Sequence, residues 1–108
     1  MKIALIQDEI YLPSFGGGTK ANRYLLEEFA RNGHECVAYT RALTRSADGP
    51  NDIAQFYAEV SAHGANAQEA EPGVFSYKHE GVQVEALNFA DFNEQRDCLV
   101  RRIQAMGP

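Results

Sequence analysis

Three consecutive glycines separate an apolar run from an amphipathic run near the start of this chain, in Phe15-Gly16-Gly17-Gly18-Thr19. The apolar run is Ile3-Ala4-Leu5-Ile6, and the amphipathic one extends from Lys20 to Asn32. Glycines so placed let backbone N–H groups come close to a bound anion, and the start of the following helix adds partial positive charge at the same point. The arrangement suits a phosphate, or the diphosphate of an activated small molecule. It also predicts a strand–loop–helix opening, which points to an α/β fold.

Lys2–Gln7 reads as a strand buried on both faces at the centre of a parallel sheet, because its apolar residues run on without alternation. Asp8–Gly18 is then a long loop. Thr19–Asn32 reads as a helix, with Ala21, Tyr24, Leu25, Leu26, Phe29 and Ala30 at helical spacing. Lys20, Arg23, Glu27 and Arg31 fall on its polar side, and Glu27 can pair with Arg31 one turn on. Gly33 supplies a left-handed cap. Glu35–Thr40 is a second strand, joined to the first by a right-handed parallel crossover. Ile53, Phe56, Tyr57 and Val60 mark a second helix that ends near His63-Gly64. Ala65–Gly73 reads as a loop of small and acidic residues. Val74–Lys78 and Val82–Leu87 alternate about the turn His79-Glu80-Gly81, which predicts a hairpin. Asp91–Met106 is a last helix, with Phe92, Leu99, Val100 and Ile103 facing inward. The predicted fold is a partial Rossmann-like three-layer α/β sandwich with a parallel sheet core and a β-hairpin.

A chain of 108 residues makes one domain. Its net charge of -5 argues against a nucleic-acid binder, which needs a strong basic patch. The one basic cluster, Arg101-Arg102 with Arg96 nearby, reads as a solvated helix face. The apolar stretch after Lys2 is too short for a secretory signal and runs into Gln7-Asp8-Glu9. Cys36 and Cys98 have no partner motif and read as reduced thiols of a cytoplasmic protein. His34 and Cys36 lack a second ligand pair, so no metal site is expected.

Two phosphate-binding motifs fit the glycine run poorly. A P-loop places Lys and then Ser or Thr after its last glycine, whereas here Thr19 precedes Lys20 and Ala21 follows. The dinucleotide fingerprint matches formally as Gly16-x-Gly18-x-x-Ala21. That fingerprint demands a tight turn directly off the strand and an acidic residue at the end of the next one, where Thr40-Arg41 stands instead.

A third reading rests on an ordered set of segments: Met1–Ile6, Tyr11-Leu12-Pro13, Gly16-Gly17, then Leu25 to Val37 with its Gly33-His34-Glu35 step, and the later Glu80-Gly81-Val82-Gln83-Val84. Together they resemble the start of a GT-B glycosyltransferase of the family 4 type. The resemblance spans nearly the whole chain and is most specific over residues 1–40. It implies a retaining transfer of a sugar from a nucleotide-diphosphate sugar to an acceptor hydroxyl, without metal or cofactor. The acceptor would be a small molecule, a glycan or a lipid-linked group.

Carried over by position, Gly16 and Gly17 are the glycines that reach the donor diphosphate, and Gly18 extends them. Lys20 and Arg23, in the first helical turns, would add charge or hold acceptor. Asp8 and Glu9 lie at the carboxyl end of the first strand, where ligands collect in α/β sheets. No catalytic residue is identified. His34 sits at the opposite end of the sheet and reads as structural. Residues 1–108 are thus expected to form a single, truncated, acceptor-side domain that is inactive alone. Its first strand, lacking a neighbour, is expected to self-associate through its exposed apolar edge or to be covered by a shifted last helix. Two readings stay open beside this one: a nucleotide- or dinucleotide-binding Rossmann domain, and a non-enzymatic α/β interaction module.

Overall fold

A computed structural model describes residues 1–12, 17–44 and 50–107. Within them the elements run β1 (Lys2–Ile10), α1 (Gly17–Arg31), β2 (Glu35–Arg41), α2 (Ile53–Ala62), β3 (Gln68–Glu71), β4 (Val74–His79), β5 (Val82–Leu87) and α3 (Phe92–Met106). The protein is α/β, with one mixed five-stranded sheet in the order β1-β2-β5-β4-β3. β1, β2 and β5 are parallel, and β3 and β4 extend the sheet in antiparallel fashion.

Local chemistry sets the element ends. Gly33 at φ +90° closes α1 with paired bonds, His34 N to Phe29 O and Gly33 N to Ala30 O, the paired pattern of a glycine C-cap. Asp52 caps α2 by accepting from Gln55 N at 2.8 Å, and Asp91 caps α3 by accepting from Asn93 N at 2.7 Å. Glu80 (φ 51°) and Gly81 (φ 81°) make the two-residue turn between β4 and β5, with the positive φ pair that matches strand twist.

The strands' alternation separates two faces. Ile3, Leu5, Cys36, Ala38, Val82, Val84, Ala86, Phe75 and Tyr77 meet Leu26 and Phe29 of α1 and Phe56 and Val60 of α2 in the main core. On the other face Val74 and Leu87 meet Cys98 and Leu99 of α3 and Phe89 in a smaller one. Gly73, at φ +83°, lies under the Phe89 ring, where a Cβ would come within 2.9 Å of it.

Several sequence expectations are corrected. β1 is an edge strand, as expected of a first strand without a neighbour, but it is not buried on both faces: its burial alternates. α3 reaches its start, where Lys2 Nζ donates to Met106 O at 2.8 Å, but leaves Ala4 exposed and Ile6 at 56% exposure. The apolar run is continuous although only one side is packed. β1 also extends through Asp8, Glu9 and Ile10, and Gly17 and Gly18 belong to α1 rather than to a loop. The stretch from Ala65 to Gly73, a loop by composition, contains β3. Phe92 and Val100 face outward, at 74% and 46% exposure, as do Tyr24 and Leu25 at 56% each.

Candidate functional site

The carboxyl ends of β1 and β2 and the start of α1 share one end of the sheet, which is where α/β folds collect ligands. Ile10 stands opposite Arg41 in the β1–β2 pairing. Asp8 Oδ1 lies 3.2 Å from Arg41 Nη1, and Arg41 Nε donates to Leu43 O at 3.1 Å. The second bond orients the guanidinium, and the first leaves it paired with a carboxylate that is itself mostly exposed. Beside them Gln7 Nε2 donates to Ile10 O at 3.1 Å, holding the strand end.

The first turn of α1 has no acidic residue, so nothing within the helix cancels the positive end of its dipole. Gly18 is exposed, with open space where a side chain would begin. Lys20 is exposed one turn further. Of the predicted set, then, Asp8, Gly17, Gly18 and Lys20 come to one end of the sheet. Gly16 lies outside the described residues.

Arg23 does not join them. Its side chain is 14% exposed, stacks over the Tyr24 ring at 4.9 Å and lies 3.8 Å from Glu27. Glu27, expected on the solvated side, is instead buried, and its Oε2 is 3.2 Å from His79 Nδ1. Arg31 takes Glu28 as its partner, not Glu27. The neighbouring phenols of Tyr11 and Tyr77 are held well above the ordinary tyrosine range. Burial is the main cause for both. The Glu27 charge adds to it at Tyr11, Tyr11 adds to it at Tyr77, and Arg23 opposes both shifts. This cluster joins α1 to the β4–β5 hairpin beneath the surface, so its chemistry is positional. His34, half-buried, packs edge-on against Phe29 with ring centroids 5.8 Å apart.

A second ionic cluster was missed by the sequence reading, on the α3 face. Arg102 bridges Glu71 Oε1 at 3.2 Å and Glu85 Oε1 at 2.6 Å, and Arg101 reaches Glu71 at 2.8 Å. Ser76 Oγ donates to Glu85. Arg101 and Arg102 are therefore committed to carboxylates rather than forming a free basic face. The Arg101 hydrogen bond is the main cause holding the Glu71 carboxyl below its usual range. Glu85 takes a polar position of the alternating strand Val82–Leu87, where a solvent-facing charge would also stand, so the sequence carried no signal for this cluster. A groove of about 430 Å³ opens beside this cluster, between α3 and the Tyr39 and Glu85 side of the sheet.

Among the described residues no group of three or more His, Cys, Asp or Glu is placed to hold a metal ion. No helix among them is long and apolar enough to cross a membrane. No protein-family model, no curated protein and no solved structure matches this chain.

Proposed function

We propose that the chain forms the acceptor-side, Rossmann-like unit of a retaining GT-B glycosyltransferase of the family 4 type, acting in the cytoplasm. The observation that carries this reading is the parallel β1–α1–β2 unit, whose helix starts with Gly17 and Gly18 next to the carboxyl end of β1. The strand order adds support, because β1, β2 and β5 follow one another in parallel along the sheet.

In this reading the α1 start receives the donor diphosphate, with Lys20 supplying charge and the peptide dipoles stabilising the departing oxygens. Asp8 and Arg41 face the acceptor side, and Arg23 positions α1 from within. The donor is a nucleotide-diphosphate sugar, the acceptor carries the hydroxyl, and neither metal nor cofactor takes part. The chain by itself binds weakly and does not turn over.

An amide NMR titration at millimolar ligand tests this. Nucleotide sugars and inorganic pyrophosphate are expected to shift Gly17, Gly18, Thr19 and Lys20, and to leave the α3 face unchanged. A tighter response to NAD at these amides favours the dinucleotide domain. A flat response to every ligand favours the interaction module and ends the glycosyltransferase reading.

A further inference from the structure

β3, at one edge of the sheet, is four residues long, carries Glu69 and Glu71, and its pairing with β4 is irregular between them. Short, irregular, charged edges resist pairing with another chain. β1, at the other edge, has nine residues and pairs regularly with β2 from Lys2 to Ile6, with its one register shift lying beyond, between Ile6 and Ile10. No strand among the described residues lies against its outer side. Glu35 N donates to Met1 O. In a parallel ladder that bond fixes the alternation: Met1, Ile3 and Leu5 turn their backbone groups to β2, and Lys2, Ala4 and Ile6 turn theirs outward.

Both sides of this edge are apolar. Away from α1 lie the exposed Ala4 and Ile6. On the α1 side a cleft of about 120 Å³ is lined by Ile3, Leu5, Leu25, Leu26 and Phe29, with Asn22 as its one polar side chain, and Leu25 remains 56% exposed. An edge strand with open backbone groups and unburied apolar residues above and below it is half of a sheet interface.

We propose that this edge pairs with the same edge of a second copy of the chain, antiparallel about a two-fold axis. The occupant follows from the strand's own charges. With Leu5 opposite Leu5, Lys2 falls opposite Asp8 and Ala4 opposite Ile6, each pair occurring twice. The outward backbone groups of Lys2, Ala4 and Ile6 are the ones this register hydrogen-bonds. Parallel pairing in register would set Lys2 beside Lys2 and Asp8 beside Asp8. Lys2 already lies 3.8 Å from Glu35 and Asp8 already faces Arg41, so the cross-strand charges set direction more than strength. Ala4 and Ile6 of both copies close one apolar patch, and Leu25 of each α1 closes the other over the paired Leu5 side chains. The contact is isologous, as a two-fold dimer requires. It stands on edge chemistry alone and does not depend on sugar transfer.

Sedimentation equilibrium across a concentration series tests it, with hydrogen exchange at both ends of the series. The wild-type chain dimerises, and the Lys2, Ala4 and Ile6 amides become protected only at high concentration. Ile6→Lys changes an exposed residue, leaves the fold intact, and raises the dimer Kd by roughly a hundredfold because two lysines enter one apolar patch. Under mild oxidation Leu5→Cys cross-links to its own copy, and Gln7→Cys does not. A monomer at every concentration with fast exchange at those three amides overturns the proposal. So does a dimer indifferent to Ile6→Lys, and so does one in which Gln7→Cys cross-links and Leu5→Cys fails to.

Discussion

Beneath α1 and α2 the sheet presents Cys36, Ala38, Val82, Val84, Ala86, Phe75 and Tyr77, all buried, and receives Leu26, Phe56 and Val60. Beneath α3 it presents Val74 and Leu87, receives Cys98, and then gives way to the Glu71–Arg102–Glu85 ion pairs. The first face is held mainly by apolar area and shape, with one buried ionic cluster, Arg23, Glu27 and His79, tying α1 to the hairpin. The second is held by a thin apolar contact plus charge pairing, whose desolvation cost offsets much of its attraction. A substitution that is severe on one face should therefore be mild on the other, and the solution conditions that expose the weakness of each should differ.

The largest effect is expected from Phe56→Ala. Phe56 is 3% exposed and touches Phe75 and Tyr77 at ring-centroid distances of 5.4 and 6.2 Å. Removing it leaves a cavity that α2 and the hairpin cannot both close, for a loss of about 3–5 kcal/mol in denaturant unfolding. Leu99→Ala on the α3 face, at a half-buried site, should cost less than half as much. Equal losses would show that the faces are equivalent.

Next comes Arg102→Met. It strands the Glu85 carboxylate, whose side chain is 12% exposed, and removes one of two cations on Glu71. The expected loss is about 1–3 kcal/mol, below the figure for a fully buried pair because Arg102 and Glu71 are partly solvated. Adding Glu85→Met should restore most of it, since two apolar side chains leave no buried charge. If the double variant is worse than the single one, the ion pair is itself a net source of stability and the contrast between the faces weakens.

The strand–glycine–helix–strand opening, the α2 face and the β4–β5 hairpin were legible because each follows from local period or turn chemistry. Gly33 and Glu80-Gly81 show this best, since both sit at positive φ where the sequence places a cap and a turn. Less was legible where the outcome depended on what covers an element. Ile3–Ile6 has the composition of a central strand, yet only tertiary arrangement decides that Ile6 stays open. Arg23 and Glu27 fall on the polar side of α1 by period. They turn inward because His79, more than fifty residues later, offers Glu27 a partner. β3, Gln68-Glu69-Ala70-Glu71, has no strand signal of its own and exists because β4 supplies a ladder. In the candidate site, Asp8, Gly17, Gly18 and Lys20 could be placed from topology, whereas Arg41 as the partner of Asp8 needed the register of β1 on β2.

The smallest expected effects separate the faces by pH. The Glu71 carboxyl is depressed, chiefly by the Arg101 hydrogen bond. Its stabilisation is complete above the unfolded glutamate value of about 4.3 and is lost as pH falls through its own lower value. Glu71→Gln should therefore be less stable than wild type at neutral pH, with a gap that narrows as pH falls below about 4.3. Tyr77, on the other face, has its phenol raised, chiefly by burial. Its contribution is complete below the unfolded tyrosine value of about 10 and is lost as pH rises beyond it, because the unfolded chain ionises first. Tyr77→Phe should track wild type at neutral pH and outlast it above about pH 10. Urea unfolding at acid, neutral and alkaline pH reads both, and a Glu71→Gln gap that does not narrow at all towards acid pH would mean that shape rather than charge holds α3 in place.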